Sequence, residues 1–317
     1  MILLYRALKD AAWLSSRGKD ARCTRQEVVR QVDDLSEEYV RAIALAALEE
    51  DGAFDDVTTG ALVPPDLTGK AVLLAKQAGV IAGLPVAAAV FRAVDASLTL
   101  RPLAGEGRRV VPGDIVADVE GPVHAILRGE RVALNLLQRL SGVATATERF
   151  VDAVDGLPTK ILDTRKTTPG LRALERYAVR MGGGQNHRWN LATGVLVKDN
   201  HWHVVRATGG DAAEAVRTLR ERAPGMRIEV EVTSVDEARE ALEAGVDALL
   251  LDNMDLAEMR QVVAMARGLA TTEASGGITE ATVRAVAETG VDFISVGAIT
   301  HSAPALDISL ELTVSIG

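Results

Sequence analysis

The chain has 317 residues, a length that suits two domains or one large α/β domain. Hydrophobic residues make up 48% and charged residues 25%, which excludes a disordered, collagenous or coiled-coil protein. The 35 lysine and arginine residues against 44 aspartate and glutamate residues give a net charge of −9, the opposite of the balance expected of a general nucleic-acid or acidic-membrane binder.

No targeting or membrane-spanning segment is predicted. The apolar run Met1–Tyr5 is stopped by Arg6, well short of a signal-peptide core. No stretch reaches the roughly 18 uncharged apolar residues that a spanning helix needs. The single cysteine, Cys23, allows no internal disulfide and no multi-cysteine zinc site. We therefore expect a soluble, cytoplasmic protein that binds neither nucleic acid nor a membrane.

The first half of the chain reads as an α+β unit. Residues 1–34 predict a loosely attached helical extension, and an amphipathic helix capped by Ser36 follows and ends near Gly52. Short β-rich segments then alternate with glycine and proline turns around one helix and lead into a long helix. The predicted segments are the strands Lys70–Lys76, Leu98–Pro102 and Val110–Val119, the helix Pro85–Val94 and the long helix Arg128–Val154.

From Lys160 onward, strands alternate with helices. The predicted strands are Lys160–Asp163, Val195–Val197, Ile228–Val232, Ala248–Leu251, Leu269–Glu273 and Phe293–Val296. One helix between them opens with a capping box at Ser234–Glu237 and ends at Gly245, and another covers Thr279–Glu288. This alternation indicates a parallel sheet, and about six such units suggest a complete or partial α/β barrel.

Polar residues follow each of these strands. They are Asp163–Lys166, Lys198–His201, Glu231 at the end of its strand, Asp252 with Asn253, Ser275–Gly277, and Gly297 with Ala298. In a barrel, the carboxyl ends of the strands converge on one face, where such folds build active sites. A single polar strand end could be a helix cap, but a series of them favours a functional site.

The charges of these residues indicate the ligand. The cations are Arg165, Lys166, His187, Arg188 and Lys198, and in a chain with net charge −9 they indicate a ligand with several anionic groups. Glu231 and Asp252 suit a Mg²⁺ shell or sugar hydroxyls. The late glycine-rich turns expose backbone N–H groups at helix N-termini, the usual phosphate position of a barrel.

Simpler interpretations remain for some of these residues. Arg172, Arg176 and Arg180 lie about one helical turn apart and could form a solvated face. His201 could cap the helix that follows its strand. Lys198 could form a Schiff base, as barrel aldolases use, although a group of cations is also what an anion pocket needs.

At this point a family resemblance becomes specific. The segments that carry it are DTRKTTPG (Asp163–Gly170), GGGQNHR (Gly182–Arg188), KDNH (Lys198–His201), EVEV (Glu229–Val232), LLDN (Leu250–Asn253), EASGG (Glu273–Gly277) and VGAITHS (Val296–Ser302). Together with matching segments upstream, they closely resemble quinolinate phosphoribosyltransferase over about residues 35–312, in order and without large gaps. The resemblance leaves residues 1–34 outside.

The resemblance implies a reaction, a cofactor and a fold. Quinolinate and phosphoribosyl pyrophosphate would give nicotinate mononucleotide, pyrophosphate and CO₂ with Mg²⁺, in de novo NAD biosynthesis. The fold would be an N-terminal α/β sandwich (α+β) domain at residues 35–142 and an incomplete α/β barrel at residues 143–299 that holds the active site. A tail of about residues 300–317 would return to the first domain.

The resemblance also implies roles for individual residues. Arg165, His187, Arg188 and Lys198 would hold the two quinolinate carboxylates, joined by Arg131 from the neighbouring subunit, so that a homodimer would be the smallest active unit. The catalytic residues Lys166, Glu231 and Asp252 would bind phosphoribosyl pyrophosphate, the two acids also holding Mg²⁺ directly or indirectly. Ser275, Gly276, Gly297 and His301 would bind the 5′-phosphate.

Four residues depart from the family pattern. Met181 replaces the usual cysteine, Thr193 replaces the usual aspartate, and Trp189 and Trp202 are bulkier than usual. We expect them to alter packing around the pyridine pocket without changing the reaction. Three alternatives remain open at this stage: a paralogous phosphoribosyltransferase for another pyridine or related carboxylate, a Schiff-base lyase at Lys198, and a non-catalytic binder of phosphorylated ligands.

Overall fold

The computed structural model describes residues 35–314, so the predicted N-terminal extension and the last three residues lie outside the described part of the chain. The helices are α1 (Glu37–Glu50), α2 (Val57–Leu62), α3 (Leu84–Val94), α4 (Val123–Ala153), α5 (Arg172–Met181), α6 (Asp199–Ala207), α7 (Ala212–Arg222), α8 (Val235–Glu243), α9 (Leu256–Ala266), α10 (Val283–Ala287) and α11 (Ala298–His301). The strands are β1 (Thr68–Ala75), β2 (Gly79–Val80), β3 (Thr99–Pro102), β4 (Arg109–Val110), β5 (Ile115–Pro122), β6 (Lys160–Leu162), β7 (Val195–Val197), β8 (Ile228–Val232), β9 (Ala248–Asp252), β10 (Thr271–Ser275), β11 (Phe293–Ser295) and β12 (Ile308–Val314).

These elements form two compact units. The first comprises the described parts of residues 1–146, 169–182 and 303–317, and the second comprises residues 147–168 and 183–302. None of the helices in residues 35–314 is long and apolar enough to cross a membrane. Both helices and strands are present in number, as the sequence predicts for a mixed α/β protein.

The first unit is built on an antiparallel sheet with strand order β12-β1-β5-β3. In β1, every second residue is buried, and this side of the sheet meets the helices in one hydrophobic core. The largest buried side chains of that core include Leu73, Phe91, Ile126 and Leu137. Gly129 of α4 lies against the Phe91 ring, where a Cβ atom would come within 2.9 Å, so the absence of a side chain permits this close approach.

Helix α5 follows β6 in the chain but belongs to the first unit. Its Glu175 side chain is fully buried and accepts hydrogen bonds from Arg139 Nη2 at 2.7 Å and Nε at 3.3 Å. Its Tyr177 hydroxyl donates to Glu106 Oε2 at 2.6 Å. Arg176 is only 4% exposed, so the expected solvated arginine face is wrong at this position. None of the residues of α5 is fully exposed, so the spacing of its arginines does not mark a solvated face.

The second unit contains a six-stranded sheet with the order β6-β11-β10-β9-β8-β7. Every neighbouring pair in it is parallel, as the alternation of strands and helices predicts. Strands β6 and β7 stand at the two ends of this order and are not paired with each other, so the sheet is an incomplete barrel. The predicted fold class is confirmed.

The side chains of β8 divide between the two faces of this sheet. Ile228, Val230 and Val232 are buried, and the intervening Glu229 and Glu231 point to the other face. In the parallel register, Leu250 of β9 pairs with Glu231 of β8 and with Glu273 of β10, and Asp252 pairs with Ser275. Residues in register share a face, so these acidic and hydroxyl side chains of β8, β9 and β10 collect on one side of the sheet.

Several predicted boundaries differ from those observed. The predicted strand Val110–Val119 is divided into β4 and β5, because a turn with Gly113 at φ +98° and a hydrogen bond from Asp114 N to Val111 O interrupts it. Strand β10 begins two residues after the predicted start because Leu269, which is 69% exposed, lies in the turn that ends α9. Helix α10 is shorter than predicted because the Thr279 backbone N–H is bound by Thr282 Oγ1 in a preceding turn. Helix α4 begins five residues earlier than predicted, with Gly129 inside it.

Candidate active site

The predicted site residues of the barrel all belong to the second unit. Arg165 and Lys166 follow β6, Lys198 follows β7, Glu231 and Asp252 lie near the ends of β8 and β9, Ser275 ends β10 with Gly276 after it, and Gly297 and His301 lie after β11. His187 and Arg188 precede β7. Arg131 lies on α4 in the first unit, and its side chain is exposed. Apart from Arg131, the predicted site residues therefore belong to one unit.

Asp163 fixes the backbone of the segment that carries His187. It is fully buried directly after β6, and it accepts hydrogen bonds from Asn186 Nδ2 at 2.6 Å and from His187 N at 2.7 Å. The backbone of Gln185 pairs with Ile161 and Asp163 on the adjoining strand. Because a charge-assisted bond to a backbone N–H is strong and directional, the side chains after Gln185 start from a fixed position.

The His187 ring lies between two carboxylates. Its Nε2 atom is 3.3 Å from Glu229 Oε2 and 3.5 Å from Glu273 Oε2. Burial lowers the pKa of His187, but hydrogen bonds to Glu229 and Glu273 outweigh it and raise the pKa to about 10. For the Glu273 carboxyl, burial has the opposite effect and raises the pKa. The raised pKa of His187 favours the positively charged ring at neutral pH.

Arg165 and Arg188 are close enough for their charges to interact. Burial lowers the pKa of Arg188, and repulsion from Arg165 lowers it further. Arg188 Nη1 donates to Gly194 O at 2.9 Å, and its Nε atom is buried with no hydrogen-bond partner. Two neighbouring guanidinium groups are suited to bind a planar dianion, which would relieve their repulsion.

Lys198 makes an ion pair with Glu231. The Lys198 Nζ–Glu231 Oε2 distance is 3.4 Å, and the lysine side chain is 49% exposed. A Schiff-base lysine usually lies in a desolvated pocket or beside another cation, so this environment does not favour the lyase alternative. His201 Nδ1 accepts a hydrogen bond from Lys198 N at 2.9 Å, so its interpretation as a helix cap is confirmed.

Asn253 and Gly276 shape the ends of β9 and β10. Asn253 has a left-handed backbone with φ 54°, donates from Nδ2 to Asp252 Oδ2 at 2.9 Å, and donates from N to Ser275 O at 2.9 Å. A Cβ atom on Gly276 would lie 2.3 Å from Asn253 Oδ1. With φ +94° as well, position 276 requires glycine. This packing orients Asp252 at the rim of the sheet.

Lys166 lies beside the last glycine loop. A Cβ atom on Gly297 would be 3.1 Å from Lys166 Cδ and 3.2 Å from the His301 ring, so both side chains pack over this glycine. Thr300 Oγ1 donates to Lys166 O at 2.8 Å and holds the lysine backbone in place. The structure thus brings Lys166, Gly297 and His301 together. The helices after the two glycine loops, α10 and α11, are only five and four residues long, so little helix dipole supplements the loop N–H groups.

The comparisons with known proteins agree with this arrangement. The family model described as quinolinate phosphoribosyl transferase, N-terminal domain, matches residues 56–141, and the C-terminal domain model matches residues 143–311. The chain belongs to the quinolinate phosphoribosyltransferase family. The resemblance seen in the sequence is therefore confirmed.

The chain is similar to named proteins over most of its length. A Synechocystis protein named "Probable nicotinate-nucleotide pyrophosphorylase (carboxylating)" is 46% identical over 248 residues, covering 77% of this chain and 83% of the relative. A Bacillus subtilis protein of the same name is 42% identical, covering 82% and 91%. A crystal structure of NadC from Streptococcus pyogenes is 41% identical with a TM-score of 0.84, covering 89% of this chain and 99% of that chain.

Three of the residues that depart from the family pattern have local structural contacts. Trp202 on α6 lines a small cavity with Val230, Val232 and Ala241, on the face of β8 opposite Glu231. Thr193 Oγ1 accepts from Asn190 N at 3.1 Å and donates to Asn190 O at 3.3 Å, which closes a turn. Met181 is the last residue of α5 in the first unit, and its carbonyl oxygen lies near Gly107. Trp202 was expected to alter packing around the pyridine pocket, but it packs on the opposite face of β8, against residues of β8 and α8.

Sequence reasoning missed Glu229 and Glu273 as parts of the site and gave Asp163, which it placed among the polar residues after the strands, no role of its own. Asp163 and Glu273 are buried, and Glu229 has a side chain only 12% exposed. The signal was available in β8, where Glu229 and Glu231 alternate with buried aliphatic residues and so share one face. Only the structure shows that Glu273 reaches the same histidine from two strands away.

Proposed function

We propose that this chain transfers the phosphoribosyl group of phosphoribosyl pyrophosphate to quinolinate with loss of CO₂, giving nicotinate mononucleotide and pyrophosphate for NAD biosynthesis. The observation that carries the proposal is the grouping of His187, Arg165 and Arg188 in the same unit as Glu231 and Asp252. A dicarboxylate and a polyphosphate are the two ligands that such a division of charge suits. Family membership and the names of the similar proteins support the same reaction.

The cations would hold the two carboxylates of quinolinate. Arg188 has a buried Nε with no hydrogen-bond partner, and Arg165 is its electrostatic neighbour. His187 adds a fixed positive charge, and Lys198 adds a more exposed one. Binding both carboxylates orients the pyridine ring, and correct orientation supplies much of the rate increase in a reaction between two bound substrates.

Lys166, Ser275, Gly276, Gly297 and His301 would bind the phosphate groups of phosphoribosyl pyrophosphate. The packing of Lys166 and His301 over Gly297 supports this assignment, because it brings a lysine and a histidine side chain together at one glycine loop.

The acidic residues fit Mg²⁺ bound mainly through the substrate. Glu231 and Asp252 offer carboxylate oxygens on neighbouring strands, and both already have a partner, Lys198 Nζ and Asn253 Nδ2 respectively. Mg²⁺ commonly keeps several waters and takes only one or two carboxylates together with substrate phosphates, so this donor set fits direct or water-mediated contact. When bound, Mg²⁺ would neutralise the charge that develops on pyrophosphate.

The proposed chemistry proceeds in two steps. The pyridine nitrogen attacks C1 of the ribose, and the bond between C1 and the pyrophosphate oxygen breaks with its electron pair leaving on pyrophosphate. Positive charge develops at C1, and Glu231 or Asp252 would stabilise it electrostatically. The bond between the ring and the adjacent carboxylate then breaks, and CO₂ leaves. The electron pair on the ring carbon, stabilised by the charged ring nitrogen, takes a proton, so no dedicated protein base is needed.

We also propose a cytoplasmic homodimer or higher oligomer in which Arg131 completes the site of the neighbouring subunit. Support comes from the family resemblance and from the position of Arg131, which is exposed on α4 in the first unit. The Arg131 side chain is exposed, whereas the neighbouring Glu130 is partly buried, and this burial raises its pKa. The single cysteine suits a reducing compartment.

The deciding experiment is an assay with quinolinate, phosphoribosyl pyrophosphate and Mg²⁺ that follows ¹⁴CO₂ and nicotinate mononucleotide together. Equal amounts of both products are expected. A panel of other pyridine carboxylates should react more slowly, and a preference for any of them over quinolinate would overturn the proposed substrate. Omission of Mg²⁺ in the presence of a chelator should stop the reaction.

A further inference from the structure

The cluster of His187, Glu229 and Glu273 places two buried carboxyl groups against one histidine nitrogen. A single atom, His187 Nε2, contacts one oxygen of each carboxylate at 3.3 and 3.5 Å. The glutamate side chains are 12% and 5% exposed, and Glu273 Oε1 is buried with no hydrogen-bond partner. Two carboxylates at this depth are costly unless a cation compensates them.

Two cations could fill this role. Across residues 35–314, the cluster is the one group of three or more His, Cys, Asp or Glu residues whose ligand atoms lie within 4.8 Å of one another, so a divalent metal is one possibility. The imidazolium form of His187 is the other. The contacts favour the imidazolium, because both carboxylates approach the same nitrogen, where a proton can lie between them, and Asp163 already fixes the backbone of the histidine.

We propose that Glu229 and Glu273 are positioning residues that hold His187 as an imidazolium with a fixed ring orientation, beside Arg188, so that it serves as a permanent cation for an anionic substrate group. The inference rests on the proposed function of this site. Neither glutamate needs to touch the substrate. Glu229 also acts electrostatically on Arg188, so its charge supports two of the predicted quinolinate ligands.

The charged groups around His187 determine its response to pH. Glu229 faces it from β8 and Glu273 from β10, Asp163 binds its backbone N–H, and Arg188 adjoins it in the chain. The two glutamates outweigh burial and raise the pKa of His187 to about 10. Removing one carboxylate takes away one of the two contacts that raise the pKa of His187 while burial still lowers it, so the pKa should fall toward its ordinary value of about 6.5.

The test is an NMR pH titration of the histidine imidazole signals in the full chain, with His187→Gln used to assign the signal. In the wild-type protein the His187 signal should stay in its protonated form between about pH 6 and 9. In Glu229→Gln and Glu273→Gln it should titrate within that range. Glu243→Gln, which alters an exposed residue at the end of α8, is the matched control and should leave the signal unchanged. A wild-type His187 that titrates near its ordinary value, or that binds added Mn²⁺ or Zn²⁺, would overturn the proposal.

Steady-state kinetics provide the second readout. The wild-type KM for quinolinate should show no His187 titration over the same range, and in the two Gln variants it should rise with pH by about tenfold or more, as expected for losing a charged hydrogen bond. His187→Gln should show the high KM at every pH. A merely structural role would lower stability and leave the pH profile of KM unchanged. If the wild-type protein does not use quinolinate, the proposed function fails, and the NMR titration still decides whether the glutamates hold the imidazolium.

Discussion

The two units of the chain both bury charged side chains, but they satisfy them differently. In the first unit, Glu175 receives two bonds from Arg139, whose remaining Nη1 atom donates to Ala303 O at 2.7 Å. In the second unit, two carboxylates share one nitrogen of His187, and Arg188 Nε is buried with no hydrogen-bond partner. The first cluster is complete within the protein, whereas the second has unused bonding capacity.

This difference separates charges that stabilise the fold from charges that await a ligand. A buried ion pair whose hydrogen bonds are all made costs the protein heavily when one partner is removed. Perturbed groups with unsatisfied atoms are more often part of a functional site. We therefore expect changes in the first cluster to lower stability and changes around the second cluster to lower activity.

Lys166→Ala should give the largest effect of all. The side chain is exposed and packs over Gly297 beside His301, so the fold should not depend on it. Losing a cation at the developing charge should reduce kcat on the order of a thousandfold, with the melting temperature unchanged. Lys160→Ala is the matched control, because Lys160 is an exposed lysine at the opposite end of the same strand. More than a tenth of wild-type activity in Lys166→Ala would contradict its assigned role.

Arg131→Ala should abolish activity to a similar extent, but in a way that a second variant can rescue. If Arg131 completes the neighbouring site, a mixed dimer of Arg131→Ala and Lys166→Ala contains one site with both defects and one intact site. Random reassociation of an equal mixture should then recover about a quarter of wild-type activity, because half of the dimers are mixed and each has one working site.

The controls for this mixing experiment are built into it. Each variant alone should stay inactive after the same dissociation and reassociation, and sedimentation should show the same oligomer for both. Absence of recovery from a mixture that does form mixed oligomers would show that Arg131 does not act across subunits.

Glu175→Ala should lower stability rather than catalytic chemistry. Removing the buried carboxylate leaves Arg139, which is 25% exposed, without its main counter-charge, and the free energy of unfolding in urea should fall by about 3 kcal/mol. Glu49→Ala, at an exposed position near the end of α1, is the control and should have little effect. In the double variant Arg139→Met/Glu175→Leu much of the loss should disappear, and a double variant less stable than Glu175→Ala would contradict the ion-pair explanation.

The sequence predicted the second unit better than the first because its pattern is local. The parallel strands β7 and β8 lie at their predicted residues, and the alternation of Glu229 and Glu231 with aliphatic residues already assigns the faces of β8. By contrast, the burial of Arg176 depends on α5 belonging to the first unit, which comes from contacts far apart in the chain. Helical spacing alone cannot show which protein surface will cover an arginine.

The same distinction applies to the candidate site. Residues at strand ends, such as Asp252, could be predicted because parallel strands bring their carboxyl ends together. The contact between His187 and Glu273 could not be predicted. His187 lies in a loop that is held beside β6, and Glu273 lies on β10, which is not a neighbour of β6 in the sheet. Trp202 also could not be placed from the sequence. It directly follows Asn200 and His201, yet it packs on the face of β8 that carries Val230 and Val232.

Ser234→Ala should give the smallest effect. It tests whether a change in the second unit that lies outside the candidate site alters stability alone or also alters the kinetics. Ser234 caps α8 in the second unit, but its Oγ accepts from Glu237 N at a long 3.3 Å, and Glu237 binds Thr233 N instead of completing the predicted capping box. We expect a loss of about 0.5 kcal/mol, at the low end for a helix cap, with kcat and KM unchanged. Asp255→Ala, which removes two side-chain capping bonds of 2.8 Å from Ala257 N and Glu258 N, should cost more stability and also leave the kinetics unchanged. If either cap variant changes KM for quinolinate, the ligand-binding charges of the second unit depend on how its helices are capped. The distinction between stabilising charges and ligand-binding charges would then not hold in this unit.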